Sequence, residues 1–365
     1  MYLSSLTISN FRNYLDCSLS LSSKGAVFIG ENGSGKTNIL EAIHMISLGR
    51  SQRGALKRDM IHRDAHETFL EGVFSESVSV TPLSLSIGFS RDGSLILRRN
   101  NQKVSTLSEL LFHNTIISFG SQDIALIYGE PAERRRFIDS ILCQVNSTYL
   151  DHLVLYRKNL LNRNTLLKRD TLDRSVDIYE EKMAEYAATI VFTRKKFFLD
   201  IAQLLSKYFC QISLYTGKVD IIYKPSISIE SDDKETLYKL FLKELREKRE
   251  KDIVLGFTSI GPHRDDFRCY INGIPIKSYG SQGQCRAMSL SIRLCALSFL
   301  EKHTSKKSII LIDDAFTELD TKRRSNTCSL VEGRGQIFLT ALSEKDIFID
   351  KLPVFNIEKN MITSV

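Results

Sequence analysis

The sequence predicts an α/β fold: one domain built from both ends of the chain, carrying an antiparallel β subdomain, with a helical lobe inserted between the ends. Three observations predict it. A short apolar run, Ala26 to Ile29, ends in a glycine-rich octad and leads into the amphipathic stretch "NILEAIHMISL". A second apolar run, "SIILI", ends at a pair of aspartates, Asp313 and Asp314. Between these runs, from about Pro131 to Lys251, lies a charged, leucine-rich stretch with very few glycines or prolines.

Taken in order, the first 30 or so residues alternate as a hairpin does. Leu6, Ile8 and Phe11 precede a turn-like "RNY", and Leu15, Cys17, Leu19 and Leu21 share one face after it. Residues 69 to 104 read as an antiparallel meander with Asp92-Gly93 as a hairpin turn. The leucines of "LVLYRKNLLNRNTLLKR" and "ETLYKLFLKELREKREKD" recur at helical spacing. The segment they occupy is far too short for a long coiled-coil arm. Mixed β-structure returns after Val254, with Asn272-Gly273 as a turn and "QIFLT" as a strand ending at Thr340. The expected division is a discontinuous head of residues 1–130 and 252–365, and an inserted helical lobe of residues 131–251. There is no internal repeat and no low-complexity segment.

With 365 residues the chain is long enough for two lobes, and 42% hydrophobic and 25% charged residues suit a globular protein. No run approaches the roughly 18 apolar residues a spanning helix needs. The start "MYLSSLTISNFRNY" lacks a basic n-region followed by an apolar block. A cytoplasmic protein with no membrane partner is therefore expected. Seven cysteines without a C-x-x-C pair argue against a disulfide framework or zinc site, and seven scattered histidines show no metal-ligand spacing. The formal charge of +7 leans towards an anionic partner.

The octad "GENGSGKT" fits G-x-x-x-x-G-K-[ST] between a strand and a helix. Small residues let the backbone of Gly30, Glu31, Asn32, Gly33, Ser34 and Gly35 wrap close to phosphates, with N–H groups and the helix N-terminus pointing inward. Lys36 would reach the β- and γ-phosphates, and Thr37 would place its hydroxyl on Mg²⁺. ATP and Mg²⁺ are the expected cofactors. A glycine turn that merely caps a helix is the plainer alternative, and the strand-loop-helix context weighs against it. In "SIILIDDAFTELD" a carboxylate ends a buried strand, so Asp313 is expected to hold Mg²⁺ through water, the Walker B role. Asp314 would orient or deprotonate the attacking water, which makes Asp314 and Lys36 the candidate catalytic pair.

The stretch "SYGSQGQCRAM" runs into a helix with Ala287, Leu290, Leu294 and Leu297 on one face. Ser281, Gly283 and Gln284 at the mouth of that helix offer donors to an anion. The chain's own P-loop already surrounds one side of a triphosphate, so a second phosphate-reading helix is most useful on the nucleotide of another copy. One of each per chain implies a head-to-tail homodimer with two shared sites, closed by a two-fold axis and dependent on ATP. Arg50, Arg53, Lys57 and Arg58 form a basic cluster expected to meet the DNA backbone. "ERRRF" at 133 to 137 reads equally as a phosphate-contacting patch or a paired helix start. "GPHRDDF" reads as an ion-pair network, with nucleotide coupling to the second lobe as the alternative.

Walker A, "SQGQ", Walker B and the following "ELD" together resemble an ABC-type P-loop ATPase head of the SMC-like DNA-repair group. Within it the chain resembles the RecF family of bacterial recombination mediators. The matching pieces, "ISNFRNY", "GENGSGKTNILEAIH", "GEPAERRRFID", "YRKNLLNRNTLLK", "TSIGPHRDDF", residues 280 to 296 and "IDDAFTELD", span almost the whole chain. The resemblance implies that Ser281 contacts the γ-phosphate of the opposite subunit, and that the D-loop, Glu318-Leu319-Asp320, couples the two sites. It further implies that Arg12 touches the nucleotide. It implies a slow, DNA-stimulated ATPase that clamps duplex DNA at single-strand gaps. RecR would be the partner, with RecO and RecA in the pathway, serving recombinational repair, replication and the SOS response. Three departures stand out. Asp314 replaces the glutamate usual in transporter ATPases, Thr340 stands where many have a histidine, and Ser121-Gln122-Asp123 replaces Pro-Glu-Asp. Gln122 is a candidate glutamine-loop residue. The rival readings are a P-loop small-molecule kinase, which has no use for a signature helix, and an ABC transporter ATPase subunit. The "NFRNY" hairpin and the inserted lobe argue against the transporter reading.

Overall fold

Hydrogen bonds between the two ends of the chain build the first of two compact units. The computed structural model describes residues 1–76, 81–106, 109, 113–169, 175–229, 233–314, 316, 319–349, 351–358 and 361–364. One unit comprises Met1–Asp123 with Leu300–Val365, and the other Ile124–Phe299.

In the first unit a six-stranded sheet runs in the order Met361–Ser364, Val354–Glu358, Gly25–Ile29, Gly335–Ala341, Ser308–Asp313, Ile116–Gly120. All pairs are parallel except the first. Gly25–Ile29 is buried throughout and Ser308–Asp313 nearly so, as strands covered on both faces must be. The helix Lys36–Leu48 that follows the glycine-rich loop is buried on almost every side. A second, antiparallel sheet has the order Tyr14–Ser20, Tyr2–Phe11, Glu67–Ser75, Leu83–Ser90, Leu95–Arg99, Gln102–Val104. Buried Gln336 staples the two sheets. It accepts from Leu3 N–H at 2.8 Å and donates to the carbonyls of Leu3 and Ser22. The expected apolar face after "RNY" is only partly covered: Leu19 and Leu21 are buried, but Leu15 is 60% exposed on the edge strand.

The second unit holds the helices Pro131–Val145, Ser147–Leu166, Ser175–Ser213, Lys234–Glu247 and Arg249–Leu255. It is not purely helical. Val219–Lys224 forms a strand that pairs with Asp266–Ile271, which pairs in turn with Ile274–Pro275. Asn272 and Gly273 link the last two with φ of 50° and 78°, as a tight primed turn requires. This pairing explains why residues 252–299, assigned to the head from sequence, cluster here with the inserted segment. The helix Gln282–Thr304 is buried nearly all round from Cys285 onward, a wider apolar surface than the one face expected.

Two fully buried guanidiniums bind the second unit together. Arg163 meets Glu180 at 2.9 Å, Asp252 at 2.8 Å and the Thr258 hydroxyl at 2.8 Å. Arg194 meets Asp139 at 2.8 Å, Asp265 at 3.0 Å, the Pro262 carbonyl at 2.7 Å and the Tyr149 hydroxyl at 3.1 Å. Asp265 also accepts from Tyr223 and from Ser226 N–H, and Asp266 takes Arg134 bidentately. Asp265 and Asp266 of "GPHRDDF" are thus held in an ion-pair network, while Arg264 donates to the Thr258 carbonyl. The glycine of that motif is required: Gly261 has φ of 121°, and a Cβ there would lie 2.2 Å from the Tyr156 hydroxyl. Among the described residues no helix is long and apolar enough to cross a membrane.

His263 belongs to this network. Its Nε2–H donates to the Thr258 carbonyl at 3.1 Å, so its Nδ1 accepts from the Tyr156 hydroxyl at 2.7 Å. Burial, with the nearby charges of Arg264 and Arg135, pushes its pKa down to about 4, against the opposing pull of the Thr258 bond and Asp252. The unfolded chain therefore takes up this proton first as pH falls. The stability contributed by neutral His263 is present above about 6.5 and is lost as pH falls towards 4, with a slope of up to about 1.4 kcal/mol per pH unit. Urea unfolding at pH 7, 6 and 5 should show that loss, and His263→Asn should flatten it. Parallel pH curves for the two proteins would contradict the assignment.

Candidate functional site

The parallel sheet delivers the candidate residues. Gly25–Ile29 and Ser308–Asp313 run in the same direction with Gly335–Ala341 between them, so the glycine-rich loop and Asp313 emerge at the same sheet edge. Ligands of open parallel sheets bind at that edge. Gly120 pairs beside Asp313, and Gln122 follows two residues later, exposed, in the turn Ser121–Ile124.

The loop has the geometry of a phosphate cradle. Gly35 is the N-cap of the helix, left-handed with φ of 111°, and no side chain caps the first turn. A Cβ on Gly35 would lie 2.6 Å from Asn13 Nδ2 and 2.7 Å from the Tyr14 hydroxyl, so only glycine fits. Ser34 Oγ and the Tyr14 hydroxyl are buried without a hydrogen-bond partner. An orphaned hydroxyl on an uncapped helix N-terminus suits an anion with oxygen acceptors. Lys36 is 4% exposed and donates to the carbonyls of Gly30 at 2.6 Å and Glu31 at 2.8 Å. Burial lowers its pKa, and the charges of Asp314 and Asp313 oppose the shift.

Thr37 Oγ1 donates to Asp313 Oδ1 at 2.8 Å, joining the two motifs directly. Burial raises the Asp313 pKa and Asp314 adds to it, while the Thr37 bond, Arg53 and Thr340 pull it down. A hydroxyl and a carboxylate are hard oxygen donors of the kind Mg²⁺ takes. Among the described residues no group of three or more acidic, His or Cys side chains forms a cation cage. That fits a metal held by one or two side chains plus phosphates. Thr340, the residue at the usual histidine position, is buried and bridges both aspartates. Its hydroxyl lies 3.2 Å from Asp313 Oδ1 and from Asp314 Oδ1, and it accepts from Asp314 N–H at 3.1 Å. Asp314 itself sits at φ of 52°.

Two arginines selected from the sequence already have partners within the protein. Arg12 is held by buried Glu41, with Nε at 2.8 Å and a second N–H at 3.1 Å, and it donates to the Asp59 carbonyl at 2.7 Å. Arg53, grouped with the DNA-facing cluster, lies 3.9 Å from Asp313 Oδ2. Arg50 and Lys57 flank the same loop, and Arg58 pairs with Asp59. Sequence reading missed Glu41, whose other oxygen contact, from the Ser51 hydroxyl at 2.5 Å, anchors the Arg53 loop. Its signal was present: the lone carboxylate of the helix Lys36–Leu48, set between the apolar residues Leu40 and Ala42.

Ser281 is exposed at the N-terminus of the helix Gln282–Thr304. Its N–H donates to Gln284 Oε1 at 2.9 Å and its hydroxyl accepts from Gln284 N–H at 3.2 Å, a reciprocal cap. Gly283 is half-buried in that first turn. Of the D-loop, Glu318 lies outside the described residues. Leu319 is buried, and Asp320 caps the helix Thr321–Val331 by accepting from Arg323 N–H.

The family model described as the RecF/RecN/SMC N terminal domain matches residues 2–351. The DNA replication and repair protein RecF of Clostridioides difficile (strain 630) is 32% identical over 373 residues, covering 100% of this chain and 99% of the relative. That of Listeria monocytogenes serovar 1/2a (strain ATCC BAA-679 / EGD-e) is 33% identical over 370 residues, covering 99% of each. A solved structure of the recombination mediator protein RecF with ATP, in the RecFOR pathway, superposes with a TM-score of 0.92 at 30% identity, covering 100% of this chain and 97% of that one. An SMC head bound to the C-winged helix domain of ScpA shares the fold, with a TM-score of 0.57 at 16% identity over 100% of this chain and 97% of that one.

The Glu41 geometry makes Arg12 a structural residue whatever else it touches. Arg12→Ala should cost about 3 kcal/mol in urea unfolding without nucleotide, because it strips a buried carboxylate of its cation. An unchanged midpoint together with weakened ATP binding would assign Arg12 to the nucleotide alone.

Proposed function

Because the chain belongs to the RecF family, whose curated members are named DNA replication and repair proteins, we propose that it is an ATP-operated DNA-binding switch of recombinational repair. The observation that carries the reading is the 2.8 Å bond from Thr37 to Asp313, which sets P-loop and Walker B as one site. Gly30 to Gly35 would cradle the phosphates of ATP with backbone N–H groups, and Lys36 would turn from its loop carbonyls to the terminal phosphates. Thr37 and Asp313 would hold Mg²⁺, which when bound neutralises phosphate charge. Asp314 would orient the attacking water, with Thr340 fixing the positions of both carboxylates. A short carboxylate in that role suits slow turnover, as befits a timing device.

Ser281, Gly283 and Gln284 would read the γ-phosphate bound to a second copy. ATP then fastens two chains head to tail, and hydrolysis releases them. Closed pairs would hold duplex DNA at single-strand gaps through phosphate contacts, so binding would be salt-sensitive and weakly sequence-selective. Arg50, Lys57 and Arg58 remain the candidates for backbone contact. Arg53 is better assigned to the nucleotide site, since it already lies against Asp313. RecR would be the direct partner, with RecO and RecA downstream, in gap repair, replication support and SOS induction.

Lys36→Arg should bind ATP yet hydrolyse it poorly. Ser281→Arg should bind ATP but remain monomeric in gel filtration and lose ATP-dependent DNA binding. Losing its cap costs only about 1 kcal/mol, too little to unfold the chain. A Ser281→Arg protein that dimerises and binds DNA normally would end the shared-site reading.

A further inference from the structure

Two motifs the ATP site does not use, "GEPAERRRFID" and "GPHRDDF", meet in the second unit at a cleft of about 210 Å³. Four guanidiniums line it, those of Arg135, Arg136, Arg157 and Arg194, against one carboxylate, Asp139. That carboxylate is already taken: it accepts from Arg194 at 2.8 Å, from Arg157 at 2.9 Å and from the Tyr149 hydroxyl at 2.6 Å. Arg194 is likewise consumed by the buried network described above. His263, which also lines the cleft, is neutral at pH 7 and has both ring nitrogens engaged.

The remaining cations are in excess. Arg135 donates to the backbone carbonyl of Asp265 at 2.8 Å and, among the described residues, makes no direct carboxylate bond. Arg136 is exposed and makes no hydrogen bond or ion pair among the described residues. Arg157 keeps 59% of its side chain exposed. Burial, and then the like charge of Arg194, lowers the Arg135 pKa, which is the cost an incoming anion would relieve. The cleft is smaller than the roughly 300 Å³ at which small-molecule pockets begin, so it suits one compact anionic group rather than a nucleoside. Guanidinium forks match phosphate oxygens bidentately. The exposed mouth at Ala132 and Arg136 lets such a group remain attached to a strand.

We infer that this cleft grips one backbone phosphate of the bound DNA, with Arg135 and Arg136 as its ligands and Arg157 at its rim. The inference rests on the DNA-binding reading above. It differs from the sequence expectation, which placed the DNA-facing cations at residues 50 to 58.

The test uses the full-length chain, ATP and a labelled gapped duplex, with affinity measured across a salt series. Arg136→Gln removes a cation that pairs with nothing. Ala132→Glu adds a carboxylate at the mouth, in the first turn of the helix Pro131–Val145, where an acidic residue is favourable. Arg136→Gln should weaken binding roughly fivefold at 0.15 M salt and reduce the slope of log K against log salt by about one. Ala132→Glu should weaken it at least as much. Both should keep wild-type ATP turnover without DNA. Unchanged affinity and slope in both variants, beside a wild type that binds DNA, would sink the cleft and leave the DNA reading standing. A wild type that binds no DNA would sink both. Calorimetric titration with inorganic phosphate separates the sources: tight uptake of the free ion that is lost in Arg136→Gln would make this a free-anion site and overturn the assignment to DNA, whereas uptake unchanged by that variant belongs to the glycine-rich loop.

Discussion

The parallel ladder joining Gly25–Ile29 to Gly335–Ala341, and that strand to Ser308–Asp313, is the constraint from which the candidate site follows. It brings together residues more than 300 positions apart and fixes both loops at one sheet edge. Because strand side chains alternate, a slip of one residue would turn Asp313 from the site into the core face. The Gln336 contacts with Leu3 and Ser22 oppose such a slip by pinning the same strand to the antiparallel sheet. The hairpin it anchors then supplies Asn13 and Tyr14, which close over Gly35, and Arg12, which neutralises Glu41. The N-terminal hairpin is thus part of the wall of the P-loop.

The second unit depends on charge compensation more than the first does. Burying Arg163 and Arg194 completely would be prohibitive without carboxylates, and each meets two. Such networks are weak evidence for stability, since well-packed apolar residues often do as well. What they do provide here is position. Arg194, on the helix Ser175–Ser213, touches Asp139, Tyr149 and the turn holding Pro262 and Asp265, which are three separate segments. The same network that holds these segments leaves Arg135, Arg136 and Arg157 around a shared cleft.

Much of the first unit was legible in the sequence because its signals are local. The glycine spacing from Gly30 to Thr37, the apolar runs and the turn at Asp92-Gly93 each depend on a few neighbouring residues. The strand Val219–Lys224 was not legible, because its partner lies some 45 residues away beyond two helices. Nor was the position of Arg53. In sequence it is one of four nearby cations, and only the Glu41–Ser51 anchor turns its loop towards Asp313. Charge density alone cannot separate a cation that faces solvent from one that lies against the carboxylate of Asp313.

Apart from the orphaned Ser34 hydroxyl, most side chains that would meet phosphate or metal already have partners. Lys36 is bonded to two loop carbonyls, Thr37 to Asp313, Asp313 to Thr340 and Arg53, and Ser281 to Gln284. Ligand binding at such a site exchanges hydrogen bonds instead of adding them, so the net gain per contact is small. Pre-existing partners also keep each side chain near its working position, which limits the ordering cost. In the proposed shared site, further free energy would come from contacts made when a second copy closes, where the exposed Ser281 would be completed by another chain's phosphate. That arrangement would tie nucleotide affinity to dimer formation, and by linkage would tie dimer formation equally to the nucleotide. Any DNA that favours the closed pair must then tighten ATP binding as well. The switch needs no further device than this reciprocity.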